Sequence, residues 1–409
     1  MEASARSIEQ QDVNVKEIKS RPLVASIILI AGTILLALSM AVSISFGAAD
    51  ISLKTVWQAV FQFDGSITHH NVIQELRMPR AIGGVVAGAF LAVSGAIMQG
   101  MTRNPLASPS LMGITDGAVF GIAIMYAFFP NSPYLMFVIA SFIGAAFGAS
   151  IVYGIGSSSP GGLTPVKLAL AGAAISALLG AISSGIALYF NLAQEVSMWN
   201  AGGVAGVKWQ SINMLVLIGL VCLIIAIMMS RYITILSFGE EIAIGLGQNT
   251  TLIKFIGTVL VLVLTGSAVS MAGSVGFVGL VIPHMTRFLV GSDYRWVIPC
   301  SAVLGGLLIE CADMLSRVIN PPFETPIGAI TALIGVPFIL YLARNEGRGK
   351  NVRTSVLTKK NISILTILVG LIVAVFLISL NTGTFKIPPI DVLKSLVGLG
   401  AEDQSVIFI

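Results

Sequence analysis

Residues 81–101 read AIGGVVAGAFLAVSGAIMQGM, a run without a single charged side chain. A run of this length is enough to cross the roughly 30 Å hydrocarbon core of a bilayer as an α-helix. Gly84 and Gly88 are four positions apart, so they share one helix face, and a second helix can approach closely there. This stretch therefore predicts a membrane-spanning helix that packs tightly inside a bundle.

The rest of the chain has the same apolar character. Its 409 residues are 56% hydrophobic and only 10% charged, with a mean hydropathy of +0.93, whereas soluble domains carry roughly 25% charged residues. Ten apolar segments predict spans over 23–46, 81–101, 110–129, 134–156, 166–190, 212–229, 255–272, 275–290, 298–314 and 326–342. An eleventh segment follows at 362–380. The sequence thus predicts an all-α membrane protein, a ten-span helical bundle with one extra C-terminal span.

The basic residues predict the orientation of these spans, because lysines and arginines accumulate on the cytoplasmic side. With the N-terminus inside, seven of the 23 lysines and arginines lie outside: Lys54, Arg77, Arg80, Lys208, Arg317, Lys386 and Lys394. The remaining sixteen lie inside. We therefore expect a cytoplasmic N-terminus in a plasma (inner) membrane.

Three regions are predicted along the chain. Residues 1–22 form a polar cytoplasmic leader, and residues 23–345 form the complete ten-span unit. Residues 346–409 contain a linker and the truncated start of a second unit, because the pattern at 46–51 recurs at 382–387 after another apolar span. An unrelated extra anchor helix is the alternative for this tail.

Five motifs carry a family resemblance. They are Arg77-Met-Pro-Arg80, GAFLAVSG at 88–95, RNPLA at 103–107, LSFGEEIAIGLG at 236–247 and GFVGLVIPH at 276–284. Together they closely resemble the FecCD-type permeases, the membrane subunits of type II ATP-binding cassette (ABC) importers for siderophores, haem and cobalamin. The ferrichrome and other hydroxamate permeases are the nearest of these. The resemblance implies a ten-span fold and import of ferric hydroxamate siderophores, with haem or cobalamin as alternative cargo.

A coupling helix is predicted in the cytoplasmic connection over about 230–254. The pattern there is that of one short helix, acidic in its first turn and ended by glycine, and an interfacial helix is the simpler interpretation. The resemblance implies that this helix contacts the ATPase subunit. The candidate residues are Ser237, Phe238, Gly239, Glu240, Glu241, Ile242 and Gly245.

Three arginines on the predicted outer side are candidates for docking an external binding protein. The resemblance implies that Arg77, Arg80 and Arg317 pair with glutamates of that protein, and the planar guanidinium suits such bidentate pairing. Arg77 and Arg80 could instead anchor the second span at the membrane interface. Arg317 could instead form an i,i+4 pair with Asp313.

A cytoplasmic gate is predicted at Leu163, Thr164 and Pro165, because similar permeases narrow their exit at this loop. A plain glycine–proline turn is the alternative. We expect the translocation path to be lined by the second, fifth and eighth spans.

Acidic residues in the spans raise the alternative of an ion-coupled secondary transporter. Asp116, Glu310 and Asp313 are the candidates, since charge inside a membrane is costly and usually functional. Their scatter and the lack of nearby basic partners in the spans argue against this alternative.

No metal or cofactor site is predicted. His284 is interpreted as a packed histidine, and His69 and His70 as adjacent exposed residues too few to hold a metal. The cysteines lie in apolar runs without paired ligand spacing, at Cys222, Cys300 and Cys311.

The sequence also lacks a phosphate-binding motif of its own. Walker A requires Gly-Lys followed by Ser or Thr, but Gly349-Lys350 is followed by Asn351. We therefore expect a transport subunit and not an enzyme, and the resemblance implies that two partner ATPase subunits bind ATP and Mg²⁺. The other expected partners are a second permease subunit, making a heterodimer, and an extracytoplasmic siderophore-binding protein, with no nucleic acid.

Overall fold

The computed structural model describes residues 20–45, 51–158, 165–320 and 323–346. Its α-helices are α1 Pro22–Ser45, α2 Leu53–Phe61, α3 Thr68–Val72, α4 Met78–Thr102, α5 Ile114–Phe128, α6 Tyr134–Ser157, α7 Pro165–Tyr189, α8 Ala193–Ala201, α9 Trp209–Phe238, α10 Glu240–Gly245, α11 Thr250–Ala272, α12 Val278–Val290, α13 Tyr294–Ile319 and α14 Ile327–Glu346. A π-helical turn over Ile73–Arg77 leads into α4, and a 3-10 turn over Pro109–Met112 precedes α5. The all-α prediction is confirmed.

The apolar helices coincide with the predicted spans but differ in length. Seven are long and apolar enough to cross a membrane: α1, α3–α4 taken together, α6, α7, α9, α11 and α13. The other three apolar stretches, Ile114–Phe128, Val278–Val290 and Ile327–Tyr341, are shorter. At 1.5 Å per residue they extend only about 20–23 Å. The count of ten spans therefore stays a prediction, and the proposed eleventh span at 362–380 lies outside the described residues.

The connection predicted over 230–254 is largely helical, which corrects the sequence-based boundaries. α9 continues to Phe238 because no glycine or proline follows Gly219 before Gly239, whose φ of +151° ends the helix. α11 already begins at Thr250, so Lys254 lies inside a helix and not in a loop. Before α12 the backbone is irregular, as expected, and Phe277 has a φ of +69°.

α4 lies at the centre of the bundle and packs against α9, α11, α12 and α13. Its glycines permit this, because a Cβ at Gly88 would overlap the carbonyl oxygen of Gly305, and a Cβ at Gly95 would overlap that of Gly279. The backbones therefore touch directly, as small residues allow in membrane bundles. With its 25 residues, α4 extends for about 37 Å and joins the two ends of the unit.

A second pair of helices, α5 and α6, also packs with direct backbone contacts at glycines. Gly144 packs on the backbone of Gly117, and Gly148 packs on that of Gly113. Gly144 and Gly148 are four positions apart, as are Gly84 and Gly88 in α4, so they too share one helix face.

Candidate functional site

At one end of α4, the side chain of Arg80 is held by the carboxylate of Asp313 from α13. Arg80 Nε donates to Asp313 Oδ1 at 3.0 Å and to Oδ2 at 3.1 Å, and Arg80 Nη2 donates to Oδ1 at 2.8 Å. The side chain of Asp313 is fully buried, and that of Arg80 is 14% exposed. A buried charge pair of this kind is stable only when both partners are present, because either charge alone would be desolvated without compensation.

The other edge of the Arg80 guanidinium binds Glu324, which lies between α13 and α14. Nη1 donates to Glu324 Oε1 at 2.6 Å, and Nη2 donates to Oε2 at 3.0 Å. This is the parallel two-bond arrangement in which arginine binds carboxylates most strongly. Unlike Asp313, the Glu324 side chain is 43% exposed.

Arg317 and Arg77 bind the end of α1 near this pair. Arg317 Nη2 lies 2.9 Å from Asp313 Oδ2, and its Nη1 donates to the Ser43 carbonyl at 2.9 Å. Arg77 Nη1 donates to the carbonyls of Ile44 at 2.6 Å and Ser45 at 2.9 Å. The last carbonyls of a helix lack intrahelical partners, and cations stabilise them. The structure thus brings all three predicted arginines together. We call Arg77, Arg80, Asp313, Arg317 and Glu324 the arginine cluster.

The acidic residues considered for ion coupling do not form one group. Asp313 has two basic partners, Arg80 and Arg317, so the expectation that these acids lack basic partners was wrong for it. Glu310 is fully buried one turn earlier, with its carboxylate beside Gly84. Asp116 lies apart from both, in the first turn of α5, where the helix dipole favours a negative charge.

At the opposite end of the bundle, α10 is a helix of six residues set between two glycine breaks. Gly239 precedes it with an extended backbone at positive φ. After it, Gly247 has a φ of +78°, and the amides of Gly247 and Gln248 donate to the carbonyls of Ile244 at 2.9 Å and Ala243 at 2.9 Å. This pair of bonds is a Schellman motif, which requires glycine at the left-handed position. The predicted short helix ended by glycine is confirmed.

Glu240 fixes α10 to the adjoining span. Its Oε1 accepts from Lys254 Nζ at 2.6 Å and from Thr250 Oγ1 at 3.2 Å, both on α11. The hydrogen bond from Lys254, with help from Thr250 and the positive charge of Arg103, holds the pKa of the Glu240 carboxyl below its usual value of 4.5. Glu240 therefore has a structural contact inside the chain, whereas Glu241 is exposed.

The remaining surface of α10 is apolar and open. Ile242, Ile244 and Leu246 are 51%, 57% and 66% exposed, whereas Ala243 is fully buried against the bundle. A helix of this size with an apolar outer face, fixed at both ends, can present a shaped contact to a partner protein. Among the other predicted coupling residues, Gly239 is buried, Ser237 and Phe238 are half-buried, and Gly245 is exposed.

The predicted gate lies largely outside the described residues. This applies to Leu163 and Thr164, whereas Pro165 is the first residue of α7. The helices expected to line the path also differ in burial. In the most apolar 18-residue stretch of α3–α4, 78% of the residues are buried within the unit, whereas in that of α7 the share is 28%. The lining of the path by the second, fifth and eighth spans stays a prediction.

The histidines and cysteines differ in their surroundings. His284 contacts Phe338 edge-on at 5.6 Å, as expected for a packed histidine. The prediction that His70 is exposed was wrong: it is 3% exposed, and its Nδ1 accepts from the Asp64 amide at 3.1 Å. Cys222 and Cys300 are buried, and Cys311 is exposed. In the described part of the chain, no group of three His, Cys, Asp or Glu side chains is arranged to hold a metal ion.

Sequence reasoning missed two residues of these sites, Glu324 and Lys254. Glu324 lies in none of the motifs, but it is an acidic residue on the predicted outer side, where it could pair with one of the arginines. Lys254 was assigned to a loop, although it follows Glu240 by fourteen residues across a short turn. In both instances a search for opposite charges on the same predicted side would have found the pair.

Known proteins resemble this chain over most of its length. The FecCD transport family matches residues 35–345. The iron(3+)-hydroxamate import system permease protein FhuB of Bacillus subtilis (strain 168) is 56% identical over 330 residues, covering 81% of this chain and 86% of that protein. The iron-uptake system permease protein FeuB of the same organism is 45% identical, covering 80% of this chain and 97% of that protein.

A solved structure gives the same result for the fold. An inward-facing metal-chelate type ABC transporter superimposes with a TM-score of 0.68 at 28% identity, covering 78% of this chain and 99% of that chain. The protein is therefore a multi-pass protein of a bacterial membrane. It belongs to the FecCD transport family, as a permease subunit of an ABC importer.

Proposed function

We propose that this chain is the permease subunit of an importer for ferric hydroxamate siderophores such as ferrichrome. The observation that carries the proposal is the 56% identity with an iron(3+)-hydroxamate permease across 81% of this chain. A ferric siderophore is too large and too hydrophilic to cross lipid unaided, so it requires a protein pathway. Haem and cobalamin are the alternative cargoes within the family.

The inner contact of the importer is α10. With the N-terminus in the cytoplasm, α10 faces the cytoplasm, where its exposed apolar surface is available to an ATPase subunit. The glycine breaks at Gly239 and Gly247 and the pair between Glu240 and Lys254 support this role, because they fix the helix relative to α9 and α11. Two ATPase subunits bind ATP and Mg²⁺, and closure of these subunits on ATP would move α10 together with the helices that hold it.

The outer contact is the arginine cluster at the far end of α4. Arginine is suited to bidentate pairing with carboxylates of a siderophore-binding protein, and Arg77, Arg80 and Arg317 lie together there. A second permease subunit completes the transport path. The exposed side of α7, with Leu170 and Leu178 at 68% and 53% exposure, is the surface we assign to this path or to the partner subunit.

Uptake of radiolabelled ferric ferrichrome tests the proposal. Cells that contain the partner subunits would express the wild-type chain, Glu241→Ala or Glu195→Ala, at equal membrane levels. Glu241 lies on α10, and Glu195 is an exposed acid on α8, which serves as the matched control. We expect uptake by the wild type and by Glu195→Ala, and loss of uptake by Glu241→Ala.

The other outcomes separate the parts of the proposal. Equal uptake by all three chains would contradict the role of Glu241 in coupling but support the proposed cargo. No uptake by the wild type would contradict the proposal that ferric hydroxamates are the cargo, and labelled haem and cobalamin would be tested next. Uptake that persists after deletion of the ATPase gene would favour the ion-coupled alternative, which depends on Asp116 or Glu310.

A further inference from the structure

The guanidinium of Arg80 has two edges, and each edge binds one carboxylate. The inner edge, formed by Nε and Nη2, binds Asp313. The outer edge, formed by Nη1 and Nη2, binds Glu324. Arginine has five N–H donors and no acceptor, so an additional carboxylate can make a two-bond contact with Arg80 only by replacing one already present.

The two carboxylates differ in how easily they can leave. Asp313 is fully buried, so its departure would leave buried charges unpaired on both sides, a costly step. Glu324 is 43% exposed, so water can solvate its carboxylate after release, and this solvation offsets part of the free energy of its two hydrogen bonds to Arg80. The outer edge of Arg80 is therefore the replaceable edge.

We propose that Glu324 is an internal competitor for docking: it occupies the place of a binding-protein carboxylate on Arg80 and has to be displaced when that protein binds. This inference rests on the proposed function of the arginine cluster. The partner it fits is a protein surface that offers a glutamate or aspartate able to approach Arg80 with both oxygens, in the geometry that Glu324 now adopts.

The competition would keep docking reversible. Glu324 is attached to the same chain as Arg80, so its effective concentration at the site is high and constant. Only the fraction of molecules in which Glu324 has left is competent for docking, and the apparent affinity falls by that fraction. Because one carboxylate replaces another, the exchange has a small net free energy, and Glu324 can expel the partner after cargo delivery.

The test is the affinity of the assembled importer in lipid nanodiscs for the siderophore-binding protein of the same system, measured by biolayer interferometry. We expect Glu324→Gln to tighten binding by about two- to fivefold, as expected for loss of one exposed ion pair. Glu324→Asp keeps the charge but shortens the reach to Arg80, so it should also tighten binding. Glu195→Gln removes an outer charge away from Arg80 and should have no effect.

Two results would contradict the proposal that Glu324 competes with the binding protein for Arg80. One is unchanged or weaker binding by Glu324→Gln. The other is an equal gain in Glu324→Gln and Glu195→Gln with none in Glu324→Asp, because a general effect of outer charge would explain it.

The variant Arg80→Lys tests docking at Arg80 itself, independently of the competition by Glu324. Lysine keeps a positive charge for Asp313 but lacks the two-edged fork, so it should weaken docking and abolish the gain from Glu324→Gln. Wild-type affinity in Arg80→Lys would instead contradict docking at Arg80 altogether. Thermal unfolding of each variant confirms that the compared importers are folded.

Discussion

The two ends of α4 hold charged residues in opposite ways. In the arginine cluster, a fully buried Asp313 binds two arginines that are themselves 14% and 13% exposed. At α10, the single pair between Glu240 and Lys254 has side chains that are 38% and 35% exposed, beside an open apolar surface. The cluster thus contributes to the stability of the unit, whereas α10 is available to a partner at little structural cost. The following changes test this contrast, in order of their expected effect on the stability of the folded chain.

Replacement of Asp313 by alanine should have the largest effect. It leaves Arg80 and Arg317 without their shared buried counter-charge, and removal of one partner from a buried pair costs about 3–5 kcal/mol. Thermal unfolding of the purified protein in detergent measures the loss. The matched control is Glu324→Gln in the same cluster, which should cost less than about 1 kcal/mol because the Glu324 side chain is 43% exposed. Similar melting temperatures for the two variants would contradict the distinction between the two edges of Arg80.

Gly95→Ala should have the next largest effect, midway along α4. Its methyl group would overlap the Gly279 carbonyl, and such overpacking costs about 1–3 kcal/mol. The control is Gly185→Ala on α7, where no atom lies within 4 Å of the added carbon. The same unfolding assay should show a lower midpoint for Gly95→Ala alone, and equal midpoints would mean that the helices separate without strain.

Glu240→Gln should cost less than about 1 kcal/mol at neutral pH, because the pair with Lys254 is partly exposed. The pKa of Glu240 is lowered in the folded chain. Its contribution is therefore fully present above the usual value of 4.5 and is lost as the pH falls through the lowered pKa. The difference in unfolding midpoint between wild type and Glu240→Gln should be present at pH 7 and vanish in acid. A difference that persists below the lowered pKa would contradict the role of the carboxylate charge.

Ile244→Glu should have the smallest effect on stability and a large one on transport. Ile244 is 57% exposed, and surface substitutions of this kind change stability by less than about 0.5 kcal/mol. We expect an unchanged unfolding midpoint together with loss of ferric ferrichrome uptake at equal membrane levels. Leu23→Glu, at an 80% exposed position near the start of α1, is the control for a new charge at the same end. Normal uptake by Ile244→Glu would contradict the contact between α10 and the ATPase.

The sequence was sufficient to predict the features that depend on neighbours along the chain. Hydropathy located the apolar helices, and the pattern of Glu240 and Glu241 followed by glycine predicted α10. The i,i+4 pair between Asp313 and Arg317 was foreseen as an alternative to docking, and it is present.

Features that depend on distant parts of the chain were not predictable in the same way. Arg80 and Glu324 are 244 positions apart, and only the arrangement of α4, α13 and α14 brings them together. Two local features were also missed. One is the buried His70, whose Nδ1 accepts from the Asp64 amide six positions earlier. The other is the end of α9, which was set too early because hydropathy falls after Met229, although the backbone continues as a helix to Phe238.

The direct backbone contacts of α4 also determine which helices can move during transport. Gly88 touches the backbone of Gly305, and Gly95 touches that of Gly279. For one helix to slide past the other, the two backbones would first have to move apart, and tightly packed interiors resist such a displacement. We therefore expect α4, α12 and α13 to act as a stationary frame. Opening and closing would then belong to peripheral helices such as α7, which pivot on side chains that can change rotamer.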